Sequence, residues 1–211
     1  ALAAELYTQT ETVYQDIDAA DTTEKVVQKV FRNIMDGLQD TLKLLDYAAI
    51  ERAVEIIRGA RRIAVYGFGN SATVCRDIET RFLRFGMVVQ AYSDAHQQAT
   101  SASLLTGKDV VIAVSHTGAT LELLDTVRTA RAAGAAVIII TSHAHSPLAK
   151  LGDIVLHGMG REVHYSSEAV SSRLIHMAIT DALYTVIAMQ SPKEYRRNLQ
   201  KMRAVIAKKR T

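Results

Sequence analysis

The apolar positions along this chain change period several times, and each change predicts an element. From Thr22 onward, apolar side chains fall at three- and four-residue steps: Val26, Val27, Val30, Phe31, Ile34, Leu38, Leu42 and Leu45. That spacing is the stripe of one long amphipathic helix. Thr22 or Thr23 can cap it, and Asp21 and Glu24 suit its positive end. A second helix is expected over 47–58, with Ile50, Val54 and Ile57 on one side and Gly59 as its stop. The pattern then turns to short β-branched runs alternating with helical stretches. Residues 62–66, 87–91, 110–114, 136–140 and 153–156 read as five strands. Helices are expected between them: to Phe85 from the turn at 67–71, over 94–105, from about Thr120 to Ala133, and briefly after Pro147. A long helix then runs over 168–189, Ser191-Pro192 breaks it, and a last helix spans 193 to about 208. Residues 1–20 carry no firm pattern and read as a lead-in segment.

Alternation of buried strands with helices implies a parallel sheet covered on both faces. The expected fold is therefore α/β: a three-layer, doubly wound sandwich with a five-stranded parallel sheet, flavodoxin-like, flanked by N- and C-terminal helices. In such sheets ligands bind beyond the carboxyl ends of the strands, where strand order reverses. Three strands end in turns rich in Gly, Ser or Thr, namely after Tyr66, after Val114 and after Ile140. Their convergence would make one polar pocket. The long first helix is more than one sheet face can bury, which makes it a candidate dimerisation arm.

Composition narrows the class. The 211 residues suffice for one sizeable core, and no segment approaches the ~20 continuous apolar residues of a membrane helix. The single Cys75 has no internal disulfide partner, which fits a reducing cytoplasm, and it reads as a small buried hydrophobe within a helix. The net charge of +3 is unevenly spread. The last nineteen residues hold Lys193, Arg196, Arg197, Lys201, Arg203, Lys208, Lys209 and Arg210 against Glu194 alone. With no aromatic stacking platform or zinc ligand set beside them, these charges read as the solvated face of a terminal helix rather than a nucleic-acid surface.

The candidate chemistry sits in Ser115-His116-Thr117-Gly118-Ala119-Thr120, where the third strand feeds straight into a helix. A helix N-terminus exposes unpaired N–H groups and partial positive charge, so it attracts anions. Ser115, Thr117 and Thr120 add hydroxyl donors, and Gly118 allows close approach of a ligand oxygen. The arrangement favours phosphate, while the same residue types also serve as ordinary N-caps. Gly67-Phe68-Gly69-Asn70-Ser71-Ala72 invites a dinucleotide reading, but Gln90, Ala91 and Tyr92 stand where the ribose-binding acid is required. No P-loop sequence exists. The first loop more simply offers Gly69 and the hydroxyl of Ser71 at a helix start. His143, His145, His157 and His164 lack the spacing of a zinc site, so neither metal nor cofactor is expected.

The pair of loops, Gly-x-Gly-Asn-Ser and Ser-His-Thr-Gly-x-Thr, resembles the SIS (sugar isomerase) domain family, whose members bind phosphosugars through them. The resemblance spans 61–189. It implies that Ser71, Ser115, Thr117 and Thr120 hold a phosphate, with Ser142 nearby. A narrower resemblance is carried by Val26–Phe31, Ala64-Val65-Tyr66-Gly67-Phe68-Gly69, Ser171-Ser172-Arg173-Leu174 and Asp181-Ala182-Leu183. These look like the C-terminal effector-binding domain of RpiR-type bacterial transcription regulators, which join a helix-turn-helix domain to a SIS domain sensing a phosphorylated sugar or sugar acid. No helix-turn-helix is legible here. Residues 1–20 would then be the linker after a missing N-terminal domain, 21–211 the phosphosugar-binding domain, and DNA would be reached only through that missing part. The resemblance further implies a cytoplasmic protein without membrane contact, acting as a homodimer or dimer of dimers.

The rival reading is an aldose–ketose phosphosugar isomerase, which needs a carboxylate or imidazole as base. In small SIS isomerases a Glu lies early in the helix after the fifth strand, and the resemblance puts Arg173 there. A guanidinium stays protonated and cannot be the base, although it can pair with a phosphate or sugar carboxylate, or with an acid across a dimer interface. Glu168 remains a candidate base. His116 is expected either at the ligand or in solvent, and His96 either at a sugar hydroxyl or as a partly buried structural histidine.

Overall fold

The computed structural model describes residues 17–160 and 170–208. Its sheet has five strands: β1 (Ile63–Tyr66), β2 (Val89–Tyr92), β3 (Val110–Ser115), β4 (Ala136–Thr141) and β5 (Ile154–His157), all parallel, in the order β2-β1-β3-β4-β5. The helices are α1 (Thr23–Leu44), α2 (Tyr47–Gly59), α3 (Gly69–Phe82), α4 (Ala95–Ser103), α5 (Leu121–Ala132), α6 (Val170–Gln190) and α7 (Pro192–Ala207).

Side chains alternate across a strand, and here the alternation builds two cores. Ile63, Val65, Val110, Ile112, Val114, Ile138 and Ile140 pack with α2, α3 and α6. Ala64, Tyr66, Val111, Ala113, Val137 and Ile139 pack with α4 and α5. The three-layer α/β sandwich expected from the sequence is thus present. Cys75 is buried in the first of these cores, and burial raises its thiol pKa above the usual range.

At the amino ends of the strands, Asp109 ties β1 to β3. Arg61 donates to both its carboxylate oxygens (2.9 and 2.8 Å), and the Thr106 N–H and hydroxyl donate to Oδ2 (2.8 and 2.9 Å). The Arg61 guanidinium above all holds the Asp109 carboxyl at about 2. That clamp closes one end of the sheet and leaves the carboxyl ends to the loops.

Three local expectations are corrected. Strand β2 begins at Val89 rather than Met87, because its pairing with β1 starts at Ile63–Val89 and Val88 is exposed beside it. The segment after Pro147 forms only a 3-10 turn (Ala149–Leu151), started by the Ser146 hydroxyl accepting from the Ala149 N–H and ended before Gly152. Helix α7 starts one residue earlier than expected, with Pro192 in the first turn, where its missing N–H costs nothing.

Helix α1 packs on α6, and the face it buries is Asn33, Gly37 and Thr41. Of the eight apolar positions that predicted the helix, four face outward: Val27, Phe31, Leu38 and Leu42 are exposed, while Val26, Val30, Ile34 and Leu45 are half-buried.

Candidate functional site

Strand order reverses between β1 and β3, so the loops after β1, β3 and β4 emerge side by side. The contacts between them are direct. A Cβ on Gly67 would lie 3.1 Å from the Val114 carbonyl oxygen. The His116 carbonyl accepts from the Ser142 N–H (3.2 Å), the Thr141 hydroxyl (3.2 Å) and His143 Nδ1 (2.9 Å). The Gly118 carbonyl accepts from the Leu148 N–H at 3.0 Å. The polar turns singled out in the sequence therefore converge at the sheet's carboxyl edge.

Within the β3–α5 loop, Ser115 is buried and its Oγ accepts from the Gly118 N–H at 3.0 Å. The Thr117 hydroxyl accepts from the Ala119 N–H at 3.3 Å. Gly118 has φ +63, and a Cβ there would sit 2.1 Å from Ser146 Oγ. Only glycine suits that combination of left-handed backbone and close approach. Thr120 occupies the N-cap of α5 with extended backbone, yet its side chain makes no capping hydrogen bond. The ordinary-cap reading of Thr120 is thereby corrected, and the first-turn N–H groups of α5 receive no cap from that side chain. In the neighbouring loop, Gly69 has φ +52 and opens α3, placing Ser71 in its first turn.

A second layer of polar residues supports this loop from behind, and sequence reasoning missed it. Ser172 and His176 stand one turn apart on α6. The Ser172 hydroxyl lies 2.7 Å from His116 Nδ1, and His176 Nε2 lies 3.1 Å from the Ser142 hydroxyl. His157 Nε2 donates to the Ser142 carbonyl at 3.0 Å. The i, i+4 spacing of Ser172 and His176 was the available signal, since it places both on one face of a helix. His116 is half-buried and held by Ser172, which removes the solvent-pointing alternative.

Other expected residues lie apart from this network. His96 is exposed on α4, so the partly buried structural role is not found. Arg173 is half-buried on α6, its Nε out of contact with water and without a hydrogen-bond partner. Glu168 and His164 lie outside the described residues. Among the described residues no three His, Cys, Asp or Glu side chains gather as a metal site requires.

Burial above all, reinforced by neighbouring His116 and His157, pushes the His176 imidazole down to about 3. It is neutral in the folded protein at physiological pH. In the unfolded chain it takes up a proton below about 6.5. The unfolded state therefore binds more protons between about pH 6.5 and 3, and His176 costs stability increasingly as pH falls through that window. The expected slope is about 1.4 kcal/mol per pH unit. Melting curves from pH 7.5 to 5 should fall more steeply for the wild type than for His176→Gln; parallel curves would contradict the assignment.

The model of the SIS domain family matches residues 56–186. The chain belongs to the SIS-domain family. Within it, the chain resembles the effector-binding part of RpiR-type regulators. It is 33% identical over 186 residues to the HTH-type transcriptional regulator RpiR of Escherichia coli, covering 88% of this chain and 63% of that protein. An HTH-type transcriptional regulator of Thermotoga maritima is 32% identical over 197 residues, covering 93% of this chain and 70% of that protein. Among solved structures, the Vibrio vulnificus NanR protein complexed with ManNAc-6P superposes with a TM-score of 0.81 at 29% identity, covering 87% of this chain and 70% of that one. A Bacteroides fragilis protein assigned as a phosphosugar isomerase involved in capsule formation shares the fold alone, with a TM-score of 0.73 at 22% identity over 84% of this chain and 97% of that one. The chain thus spans about two thirds of the curated regulators it matches. Among the described residues no helix is long and apolar enough to cross a membrane.

Proposed function

We propose that this chain is the sensing part of a sugar-responsive, cytoplasmic transcription regulator, and that it binds a phosphorylated sugar or sugar acid without converting it. The observation that carries this reading is the β3–α5 loop, with Ser115, Thr117 and Thr120 arranged around a left-handed Gly118 at a helix N-terminus. Such a loop presents N–H groups and hydroxyls to the oxygens of a phosphate. Ser71 and Gly69 would close the site from the β1 loop, with Ser142 and His116 on the β4 side. Arg173, a permanent cation, would suit an anionic group of the ligand; His96 and Glu168 are outer candidates for sugar hydroxyls.

The regulator relatives support a sensor rather than an enzyme. So does the pair of histidines at the loop, since His116 is engaged by Ser172 and His176 is a very weak base. The isomerase reading survives through Glu168 and through fold relatives assigned as isomerases. Residues 1–20 would serve as the linker to an N-terminal DNA-binding domain, through which the complete regulator meets DNA. A ligand shifts such a regulator only by binding one of its states better than the other.

Ser115→Ala tests the loop. It removes a phosphate donor and the acceptor of the Gly118 N–H, with an expected loss of at least tenfold in affinity for the best-binding sugar phosphate by calorimetry. The cost in stability should be about 1 kcal/mol. Unchanged affinity in a folded variant would remove the phosphate from this loop.

A further inference from the structure

The chain leaving β5 is wedged between two helices. Gly158 extends the pairing of β5 with β4, its N–H donating to the Thr141 carbonyl at 3.0 Å. A Cβ at Gly158 would lie 2.9 Å from Ile179 Cδ1 and 3.0 Å from His176 Cδ2, and one at Gly160 would lie 2.1 Å from Ser172 Oγ. Ser172, His176 and Ile179 follow one another at four- and three-residue steps, so this strap lies flat along one face of α6. The same face supports the β3–α5 loop, through Ser172 at His116 and His176 at Ser142. On the strap's other side, the Met159 N–H donates to the hydroxyl of Thr41 on α1 at 2.9 Å. A contiguous series of contacts therefore runs from Thr41 to His116. Glycine stands at both closest approaches, where no side chain is present to absorb a displacement.

Helix α1 is lightly seated. The residues it buries are Asn33, Gly37 and Thr41, two polar side chains and a glycine. Asn33 Nδ2 is buried without a hydrogen-bond partner among the described residues. An element held by few buried apolar contacts shifts at low cost, and a buried amide left unpaired weakens the seat further. We infer that the strap Gly158–Gly160 couples the β3–α5 loop to α1, so that a change of position at His116 is felt at Thr41. The purpose of the coupling rests on the sensing role proposed above, in which residues 1–20, ahead of α1, lead to the DNA-binding domain. Phosphate in the loop fixes His116 and Ser142, holds Ser172 and His176 against them, and steadies the strap and Thr41 in turn. Loop and helix then order together. Packed contacts and hydrogen bonds are what carry such coupling, and coupling between two sites is reciprocal. A defect made at Thr41 must therefore reach the loop.

Hydrogen exchange of single amides by NMR, on the whole chain without ligand, reads that reciprocity, because exchange reports local opening. Thr41→Val keeps the side chain's shape and removes the acceptor of the Met159 N–H. It is expected to speed exchange at Gly118 and Ser142, whose N–H groups Ser115 Oγ and the His116 carbonyl hold, by at least about threefold relative to the core amides of Ile112 and Ile139. Ser172→Ala, made at the other end, should speed exchange at Met159 and Leu45 by a similar factor; the Leu45 N–H donates to the Thr41 carbonyl. Arg58→Ala releases Gln190 and Ser191 at the far end of α6 and should leave all four amides unchanged. The coupling is overturned if Thr41→Val changes only Met159 and α1, or if Arg58→Ala changes the loop as much. None of these comparisons needs a sugar phosphate, so a failure of the coupling is distinguished from a failure to bind one.

Discussion

Gly118→Ala is expected to lose sugar-phosphate binding by at least 100-fold and to lower stability by about 3 kcal/mol. Two costs combine. A side chain in the left-handed region is strained by about 1–2 kcal/mol, and the new Cβ would lie 2.1 Å from Ser146 Oγ and 2.5 Å from its Cβ. Ser146 cannot simply turn aside, because its hydroxyl starts the 3-10 turn by accepting from the Ala149 N–H. The loop must move, and the N–H groups proposed to meet a phosphate move with it. Calorimetric titration and thermal melting read the two effects separately. The double variant Gly118→Ala, Ser146→Gly should regain part of the stability by relieving the overlap. Binding within threefold of wild type in Gly118→Ala would show that the loop does not touch the ligand.

Gly160→Ala is the second large effect, and it acts through α6. A Cβ at Gly160 would lie 2.1 Å from Ser172 Oγ and 2.7 Å from Ser172 Cα. Backbone rather than a flexible side-chain end stands in the way, so either α6 or the chain after β5 must shift. The shift separates Ser172 from His116 and frees a ring of the proposed phosphate loop. Overpacking of this kind costs about 2–3 kcal/mol, which is about 5–10 °C in melting temperature for a domain of this size. Affinity should fall several-fold beside it. An unchanged melting temperature would mean that α6 yields at no cost and that the Ser172 contact is incidental.

The elements most legible in the sequence were those whose local pattern and tertiary setting agree. The β-branched runs of β3 and β4 read as strands because both faces are buried, and the hydroxyl-rich turn around Gly118 was legible because its chemistry is local. Strand β2 was misplaced by two residues because Met87 and Val88 share the strand's composition, and only the neighbouring strand decides where pairing begins. His116 was ambiguous for the same reason: its ring is fixed by Ser172, fifty-six positions away. Ser172 and His176 were readable as one helix face, but nothing local shows that this face meets Ser142. Helix α1 was legible as a helix and illegible in its orientation. Its apolar arc spans more than one contact, and α6 accepts Asn33, Gly37 and Thr41 while Phe31 and Leu42 remain outside. Arg173 was located by resemblance alone, and its unpartnered Nε is consistent with a role that only a ligand would complete.

The most direct measurement on the central claim is a thermal-shift series with N-acetylmannosamine 6-phosphate, hexose and pentose phosphates and 6-phosphogluconate, each beside its unphosphorylated parent, with every stabilising compound then assayed for conversion. Binding to the folded state raises the melting temperature by mass action. The sensor account predicts that at least one phosphorylated compound stabilises the protein, that its parent does not, and that the compound is recovered unchanged. Equal shifts from ester and parent would contradict a phosphate-binding loop, and turnover of the stabilising compound would make the protein an isomerase.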